Sequence, residues 1–471
     1  MNQIVPGAGS APGNSAASRD IAHFLHPYTN LTKHREVGPM IVERGKGVYV
    51  YDDAGKEYIE GLAGLWCASF GFGEEALIEA AVQQMRRLPY YHTFAAKSHH
   101  PGIDLAEKLK AIAPVPMSKV FFANSGSEAN DSAVKMIWYY NNAKGRPKKK
   151  KILGRIKGYH GVTVASASLT GLPNNHREWD LPLPGFIHAD CPHYYRFGAP
   201  GETEEQFTQR LAESLEKQIL AEGPDTVAAM FAEPIMGAGG VLVPPAGYFQ
   251  AIQPILKKYD ILLVADEVIC GFGRTGNMWG TQTFGMQPDI LTCAKALSSA
   301  YLPISAVMIS EEVYQGMCAS NDKVGVFAHG YTYSAHPVPA AVAVKTLELM
   351  ESRNVIDHVR EVAPHFQKRL HSFADHPLVG EARGIGLIGA TELVADKASK
   401  RAFDVKQGVG TYLVNKAQEH GLVLRAMGDA VGFCPPLIIT RKEIDALFDR
   451  YAKALDETEA WVKVENLRAA A

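Results

Sequence analysis

The strongest constraint on the fold is a regular alternation that begins at about Gly71. Short apolar runs of strand length alternate with longer segments of helical periodicity, such as 128–142 and 206–220. Runs such as ILLVA are apolar throughout, which indicates strands covered on both faces. The pattern predicts an α/β fold with a mostly parallel central sheet wrapped by helices. The predicted strands are 119–123, 152–156, 227–232, 261–265, 290–293 and 304–309.

The sequence changes character on both sides of this alternating region. Upstream, the segment GVYVYDDAGK at 47–56 predicts a β-hairpin. Downstream of about Ala340, long amphipathic segments at 341–351 and 356–374 predict a second, smaller α/β domain. Residues 1–20 are rich in Gly, Ala, Ser and Pro. The predicted parts are a mobile tail at 1–25, an N-terminal segment at 26–70 that packs with the small domain, a large domain at 71–338 and a small C-terminal domain at 339–471.

Charge balance and cysteine usage exclude several classes of protein. With 48 basic and 50 acidic residues, the chain lacks the basic excess of a nucleic-acid-binding protein. No apolar run reaches the ~20 residues of a membrane span, and residues 1–20 lack the basic and apolar regions of a signal peptide. The 6 cysteines form no C-x-x-C pair, which is typical of a reducing compartment and gives no zinc motif. We expect a cytoplasmic protein that binds neither nucleic acid nor membrane and holds no metal.

Polar residues follow several predicted strands, at the edge where parallel strands place functional groups. After strand 119–123, the sequence Ser125-Gly126-Ser127 opens a helix. Unpaired backbone N–H groups at a helix N-terminus bind phosphate, so this segment is a candidate phosphate site. Ser125 and Glu128 also have the spacing of a capping box, which needs no ligand. The motif alone therefore leaves both interpretations open.

Two further strands are followed by residues of opposite charge. Asp266 follows strand 261–265 and Lys295 follows strand 290–293. Singly, such an aspartate is typical of a helix cap or a core hydrogen bond, and such a lysine is typical of the surface. Together with a phosphate site, they match the needs of pyridoxal 5′-phosphate: an anion site, an acid opposite its ring nitrogen and an amine for its aldehyde. Tyr159 offers either an aromatic face for that ring or a core side chain.

With these residues in place, the chain resembles the class III, pyridoxal-phosphate-dependent aminotransferases, and among them the amine/ω-amino acid:pyruvate branch (ω-transaminases). The similarity extends from about His26 to Pro436. It rests on five segments that match in the family's order: LAGLWC at 62–67, SGSEAN at 125–130, YHG at 159–161, ADEVICGFGRTG at 265–276 and GYTYSAHP at 330–337.

The resemblance implies the type I fold of the pyridoxal-phosphate transferases and a role for each matching residue. Lys295 would attach the cofactor covalently, and Asp266 would face its pyridine nitrogen. Tyr159 and Val268 would cover the two faces of the ring. The other residues that it assigns to the cofactor are Ser125, Gly126, Ser127, His160, Glu233 and, from the neighbouring subunit, Thr332. A homodimer with shared active sites follows from Thr332, and a tetramer stays open.

The resemblance also implies a substrate pocket lined by Tyr28, Trp66, Phe94 and Tyr159. Arg425 would bind a substrate carboxylate in a forked geometry, although it could instead cap a helix or pair with Asp429. The expected reaction moves an amino group from a primary amine or ω-amino acid to pyruvate and gives alanine and an aldehyde or ketone.

Substrate choice is the least determined part of this expectation. Ala238 stands where the ornithine and γ-aminobutyrate branches have a glutamate, which disfavours a glutamate donor. Ala296 and Ala300 replace glycines common in relatives, and Met236 replaces a polar residue. The alternatives are another class III enzyme (a polyamine, β-alanine or taurine aminotransferase, or an aminomutase or racemase) and, less favoured, a non-catalytic protein that binds the cofactor or a phosphate.

Overall fold

The computed structural model describes residues 13–469 of the chain. Its strands are β1 (Val42–Lys46), β2 (Tyr49–Asp52), β3 (Glu57–Glu60), β4 (Lys119–Ala123), β5 (Lys151–Arg155), β6 (Phe186–Ala189), β7 (Val227–Ala232), β8 (Leu262–Asp266), β9 (Ile290–Cys293), β10 (Ser305–Ile309), β11 (Val379–Ile385), β12 (Ile388–Leu393), β13 (Leu422–Val423), β14 (Arg425–Met427) and β15 (Ala430–Phe433).

Helices surround these strands. They are α1 (Ala16–His23), α2 (Leu31–Val37), α3 (Ala63–Trp66), α4 (Glu75–Arg87), α5 (His100–Ile112), α6 (Gly126–Ala143), α7 (Val164–Leu169), α8 (Tyr194–Phe197), α9 (Glu204–Glu222), α10 (Tyr248–Lys258), α11 (Gly280–Phe284), α12 (Glu311–Val324), α13 (Pro337–Ser352), α14 (Val355–His371), α15 (Val409–Glu419) and α16 (Arg441–Val464). Within the described part of the chain, none is long and apolar enough to cross a membrane.

The central sheet has seven strands in the order β4-β10-β9-β8-β7-β5-β6. The five strands from β9 to β6 are parallel to their neighbours, whereas β10 is antiparallel to β4 and β9. The predicted mostly parallel sheet is therefore confirmed, with strand bounds that differ by at most one residue. The sequence analysis missed β6, whose four residues FIHA interrupt an apolar run with a histidine.

Two four-stranded sheets flank the central one. β1, β2 and β3 are antiparallel, which confirms the predicted hairpin, and β13 adds to β3 in parallel through Leu422 and Val423. The other small sheet has the order β11-β12-β15-β14. The division into four parts stays a prediction; of the proposed tail, residues 1–12 lie outside the described residues and Ala16–His23 is helical.

The central sheet is buried on both faces, as its apolar strands require. All six residues of β7 and all five of β8 are buried. One apolar cluster includes Leu263 and Met230, and a second cluster includes Val264 and Phe231, so successive residues of one strand belong to different clusters. This alternation is the period-two geometry of a strand between two helical layers.

The sheet also determines where the polar residues meet. β5, β7, β8 and β9 are parallel neighbours, so their C-terminal ends lie at one edge. Tyr159 follows β5, Glu233 follows β7, Asp266 ends β8 and Lys295 follows β9. In an open parallel sheet this edge forms the ligand-binding crevice.

A core substitution in the C-terminal part tests the packing. Phe448 is fully buried on α16, with its ring centroid 5.2–5.8 Å from those of Phe366, Phe373 and Phe433. Phe448→Ala should lower the free energy of unfolding by about 3–5 kcal/mol, because it leaves a cavity among aromatic rings. Urea unfolding measures this loss. Val464→Ala on the same helix, where the side chain is 81% exposed, should change it little; equal losses would contradict the packing.

Candidate active site

A cavity of about 180 Å³ opens at the C-terminal edge of the central sheet. A single water needs only about 10–15 Å³, so the cavity is large enough for a small organic ligand. The predicted site residues that line it are Tyr28, Trp66, Gly126, Ser127, Tyr159, His160, Glu233, Asp266, Val268, Lys295 and Arg425. Leu65, Asn130, Gly161, Leu172, Ala238 and Ile269 line it as well.

The carboxylate of Asp266 is held by a buried set of hydrogen bonds. Its Oδ2 accepts from Asn130 Nδ2 and pairs with His160 Nδ1, each at 2.8 Å, and its Oδ1 accepts from the Val268 backbone N–H at 3.1 Å. The Asp266 side chain is only 4% exposed. Within residues 13–469, no lysine or arginine lies within ion-pair distance of it. A buried carboxylate without a full cation is suited to a ligand that brings one.

Asn130 connects this carboxylate to two other parts of the site. Its Nδ2 also donates to the His160 carbonyl at 2.7 Å, and its Oδ1 accepts from Thr292 Oγ1 at 2.9 Å. Asn130 lies one turn into α6 and Thr292 lies in β9, so helix, loop and two strands meet here. The ring atom His160 Nε2 is buried and has no hydrogen-bond partner in the described structure.

Lys295 follows β9 at the start of a short 3₁₀ turn. Its backbone has φ of 50°, a left-handed conformation that is unusual for a residue with a side chain. Burial lowers the pKa of its amine, so the neutral, nucleophilic form is populated more readily than on a surface lysine. Among the described residues, the amine has no hydrogen-bond partner.

The N-terminus of α6 meets the cavity through Gly126 and Ser127, while Ser125 caps the helix. Ser125 Oγ accepts from the Glu128 backbone N–H at 3.2 Å. Glu128 Oε2 accepts from the Asn124 backbone N–H at 2.7 Å, so the predicted capping box is only half formed. A Cβ at Gly126 would lie 3.0 Å from Val268 Cγ1, so the glycine allows a close contact that a larger residue would crowd.

Glu233 supports the loops on the other side of the cavity. Its Oε1 accepts from the Tyr159 backbone N–H at 2.9 Å and its Oε2 accepts from the Gly237 backbone N–H at 3.1 Å. Burial raises the pKa of Glu233, and burial also raises the pKa of the Tyr159 hydroxyl. Glu233 thus orients the backbone of residues that line the cavity, including the loop that carries Ala238.

The outer part of the cavity combines apolar surface with one cation. Trp66 is buried, Tyr28 is 65% exposed, and the Arg425 guanidinium lies 5.8 Å from the centroid of the Tyr28 ring. The alternative pairing of Arg425 with Asp429 is not observed, since Asp429 accepts from the Gly410 backbone N–H instead. In the described part of the chain, Arg425 has no ion-pair partner.

Phe94 and Thr332 do not line the cavity of their own chain. They lie close to each other: Phe94 is 48% exposed and packs near Gly330, and the Tyr90 hydroxyl donates to the Thr332 carbonyl at 2.9 Å. The structure therefore brings the other predicted residues together and places these two in a separate, exposed region.

Sequence reasoning missed Asn130, Thr292, Leu172 and Ile269. Asn130 belongs to the SGSEAN segment, and its position four residues after Gly126 places it on the same face of α6. That spacing was the available signal. Leu172 and Thr292 have no distinguishing pattern, because Leu172 lies in the turn-rich segment GLPNN and Thr292 lies in an ordinary strand-forming stretch.

The fold and the cavity define an α/β enzyme with a half-buried lysine and a buried carboxylate at the ends of neighbouring strands. Residues 32–455 match the family described as Aminotransferase class-III. A γ-aminobutyrate transaminase from Solanum lycopersicum, described as mitochondrial, is 50% identical over 94% of this chain and 86% of its own length. The chain belongs to the class III aminotransferase family.

Solved structures extend this likeness to the whole fold. The crystal structure of an ω-transaminase from Pseudomonas jessenii in complex with PMP has a TM-score of 0.94 and 56% identity, covering 95% of this chain and 99% of that one. A second solved structure is a thermostable ω-transaminase variant engineered for the synthesis of enantiopure bulky amines, with a tryptophan, a phenylalanine and an arginine replaced. It has the same TM-score and identity and covers 95% of this chain and 100% of its own.

The family membership confirms three expectations. The chain has the type I fold of the pyridoxal-phosphate transferases, it is an aminotransferase, and its cofactor is pyridoxal 5′-phosphate. The substrates of such an enzyme are amines and keto acids. The cytoplasmic location stays a prediction, since the plant relatives are described as mitochondrial or chloroplastic.

A buried acid supports the turn that carries Trp66. Glu60 ends β3, and its Oε1 accepts from the Leu62 backbone N–H at 2.9 Å. In the turn that follows, Ala63, Gly64 and Trp66 have φ of 50°, 68° and 66°. Burial raises the pKa of Glu60 to about 7, so this carboxyl is largely neutral in mildly acidic solution.

This pKa predicts a dependence of stability on pH. The folded-state value near 7 lies above the ordinary value of 4.5, so Glu60 lowers stability as pH rises from 4.5 through about 7. Glu60→Gln stays uncharged, and between about pH 4.5 and pH 8 it should gain roughly 2–4 kcal/mol relative to the wild type. Urea unfolding at several pH values measures the difference. Glu57→Gln, at the exposed end of β3, should show no such gain. A stability difference between Glu60→Gln and the wild type that does not change with pH would contradict the raised pKa of Glu60.

Proposed function

We propose that this aminotransferase moves the amino group of a primary amine or ω-amino acid to pyruvate by a ping-pong mechanism, and releases alanine and an aldehyde or ketone. The observation that carries the proposal is the outer cavity. There the unpaired Arg425 guanidinium lies beside the aromatic surface of Tyr28 and Trp66. A cation suits the keto acid, and the aromatic surface suits an amine that lacks a carboxylate.

The residues of the inner cavity fit pyridoxal phosphate. Asp266 offers a buried carboxylate without a lysine or arginine partner, and His160 Nε2 is buried and unpaired within the described structure. Gly126 and Ser127 at the N-terminus of α6 would hold the phosphate, and Tyr159 and Val268 would cover the ring. His160 and Glu233 would support Asp266 and Tyr159 through the hydrogen bonds described above.

When bound, the cofactor supplies an aldehyde that joins amines and a protonated ring that withdraws electrons from the adjoining carbon. Lys295 would attach it and, once displaced by the substrate amine, would take the proton from the amine-bearing carbon with its Nζ. Its lowered pKa favours the neutral amine that this role requires. Asp266 would hold the proton of the ring nitrogen, which keeps the ring positively charged.

Removing the lysine tests the proposed chemistry. Lys295→Ala should abolish turnover of every amine donor, because both the covalent attachment and the base are lost. Borohydride reduction of the wild type followed by peptide mass spectrometry should find the cofactor on Lys295 and nowhere on the variant. Lys217→Ala, an exposed lysine on α9, serves as the control. Full activity in Lys295→Ala, or a trapped adduct on another residue, refutes the role.

The engineered relative supports the substrate assignments. The tryptophan, phenylalanine and arginine replaced in it occur in the same order and at the same spacing as Trp66, Phe94 and Arg425 do here. That variant was made for bulky amines, which is consistent with a role of these positions in amine binding. Ala238, which lines the cavity, leaves the nearby loop without a glutamate to pair with Arg425.

The outer cavity is proposed to bind both the keto acid and the amine. Replacing Arg425 should therefore affect the KM values of the two substrates unequally. Arg425→Ala should raise the KM for pyruvate by about tenfold to a hundredfold, because a charge-assisted pair with the carboxylate is worth about 1.5–3 kcal/mol. The KM for an arylalkylamine should change less than threefold. Steady-state kinetics with both substrates varied measure the two effects. Arg441→Ala, on the exposed N-terminus of α16, is the control, and equal losses for both substrates would argue against the role.

The donor is the open part of the proposal. γ-Aminobutyrate, the substrate named for the plant relatives at about 50% identity, is itself an ω-amino acid and falls within the proposed class. A panel of γ-aminobutyrate, β-alanine, putrescine, taurine and an arylalkylamine, each with pyruvate and alanine release as the readout, ranks these donors. Formation of alanine also separates amino transfer from aminomutase or racemase activity.

We also propose a homodimer with shared active sites, and the placement of Phe94 and Thr332 supports it. Both are exposed, near each other and outside the cavity of their own chain. In a two-fold dimer such a region contacts the equivalent site of the partner, where Thr332 would bind the phosphate and Phe94 would contact the substrate.

Subunit complementation tests this arrangement. Thr332→Glu should inactivate the homodimer by placing a carboxylate beside the phosphate, and Lys295→Ala should inactivate it as well. Mixed dimers should recover about one quarter of wild-type activity in a statistical mixture, because each contains one intact site. Co-expression with two affinity tags isolates the mixed dimers. Isolated mixed dimers without activity would mean that Thr332 acts within its own subunit, and an active Thr332→Glu homodimer would mean that Thr332 does not act at the site.

A further inference from the structure

Three potential metal ligands converge in the N-terminal segment, outside the residues assigned to the cofactor. Asp20 lies on α1, His26 lies in the connection after it, and His34 lies on α2. His26 Nε2 lies 2.9 Å from both carboxylate oxygens of Asp20, and His34 Nε2 lies 3.0 Å from Asp20 Oδ1. Both imidazoles thus point the same type of nitrogen at one carboxylate.

We propose that Asp20, His26 and His34 form a binding site for a divalent transition-metal ion of the zinc type. Two imidazole nitrogens and one carboxylate oxygen are a common ligand set for zinc, which binds them at about 2.0–2.1 Å. Tetrahedral ligands at that distance are about 3.3 Å apart. The present separations of 2.9 and 3.0 Å therefore need to expand by only a few tenths of an ångström.

The surroundings of the three side chains favour this use. Their exposed fractions are 24% for His26, 15% for Asp20 and 11% for His34, so the ligands are sheltered but a metal ion can enter from solvent. The Phe24 ring packs edge-on against His26 with centroids 4.5 Å apart. In the described structure no lysine or arginine forms an ion pair with Asp20.

A second cluster of similar composition differs from the first because an arginine lies among its carboxylates. His193, Glu381 and Glu392 also bring three ligand atoms together. There the Arg383 guanidinium donates to Glu381 Oε2 at 2.6 Å and to Glu392 Oε2 at 2.5 Å. A guanidinium already fills the position of the cation. The Asp20 cluster has no such cation, so its carboxylate is available to a metal.

A metal ion here would join α1 to α2 and fix the segment between them. That segment contains Tyr28, which lines the active-site cavity, lies beside Arg425 and accepts from Asn175 Nδ2 at 2.6 Å. The site would thus order the N-terminal segment over the cavity without contacting the substrate.

Zinc binding to the holoenzyme tests the site. After removal of metals with EDTA, Zn²⁺ is titrated in competition with a chromophoric chelator, and bound zinc is counted by elemental analysis. The wild type should bind one ion per subunit, and His26→Ala, His34→Ala and the isosteric Asp20→Asn should each bind it at least tenfold more weakly. His34→Cys should bind zinc more tightly than His34→Ala, because a thiolate is also a zinc ligand. His23→Ala, an exposed histidine on α1, should bind as the wild type does.

Limited proteolysis gives a second readout that does not depend on activity. Trypsin can cut at Arg19, Lys33 and Arg35, which are exposed around the three ligands. Zinc should slow cleavage at these positions at least threefold in the wild type and not in His34→Ala. The proposal is overturned if zinc binds the wild type no more tightly than it binds His34→Ala, or if His23→Ala loses binding to the same extent.

Discussion

The buried carboxylate of Asp266 is the interaction on which the rest of the pocket depends. It ends a strand that is covered on both faces, so its charge has little access to water and must be held by nearby donors. Asn130 and His160 provide those donors, and in doing so they attach α6 and the loop after β5 to the end of β8. The same hydrogen bonds that satisfy the acid therefore also align the helix N-terminus and Tyr159 around one cavity.

The sequence predicted the parts of this arrangement that follow from strand order. Asp266 ends one short apolar strand and Lys295 lies two residues after another. Parallel neighbours put these strand ends at one edge, so both residues could be located without coordinates. Asn130 and Glu60 could not be assigned in the same way. Their roles depend on which side chain lies opposite in space, and neither apolar periodicity nor a turn signal records that distance. β6 was missed for a different reason, since His188 interrupts its apolar run.

The three potential metal ligands of the N-terminal segment could not be predicted as a group from the sequence either. Asp20, His26 and His34 have no repeating interval, and the sequence predicted a mobile tail up to residue 25 and no metal site. In the structure, α1, the connection after it and α2 bring the three side chains within hydrogen-bonding distance of one another. Convergence of this kind depends on the path of the chain between two short helices, which local propensity does not determine.

The residues proposed for the chemistry and those proposed for substrate specificity lie in different parts of the fold. The groups proposed for the chemistry stand at the ends of strands in a rigid, buried sheet, whereas Tyr28, Trp66, Phe94 and Arg425 lie in the N-terminal segment, in turns, in an exposed loop and on a short strand of a flanking sheet. Under the proposed assignments, changes in these peripheral elements would alter substrate contacts and leave the Asp266 network in place. Relatives that share about half of the sequence, among them γ-aminobutyrate transaminases and ω-transaminases, can therefore share a mechanism and differ in donor. Family membership establishes the reaction, and the donor must be sought in the loops.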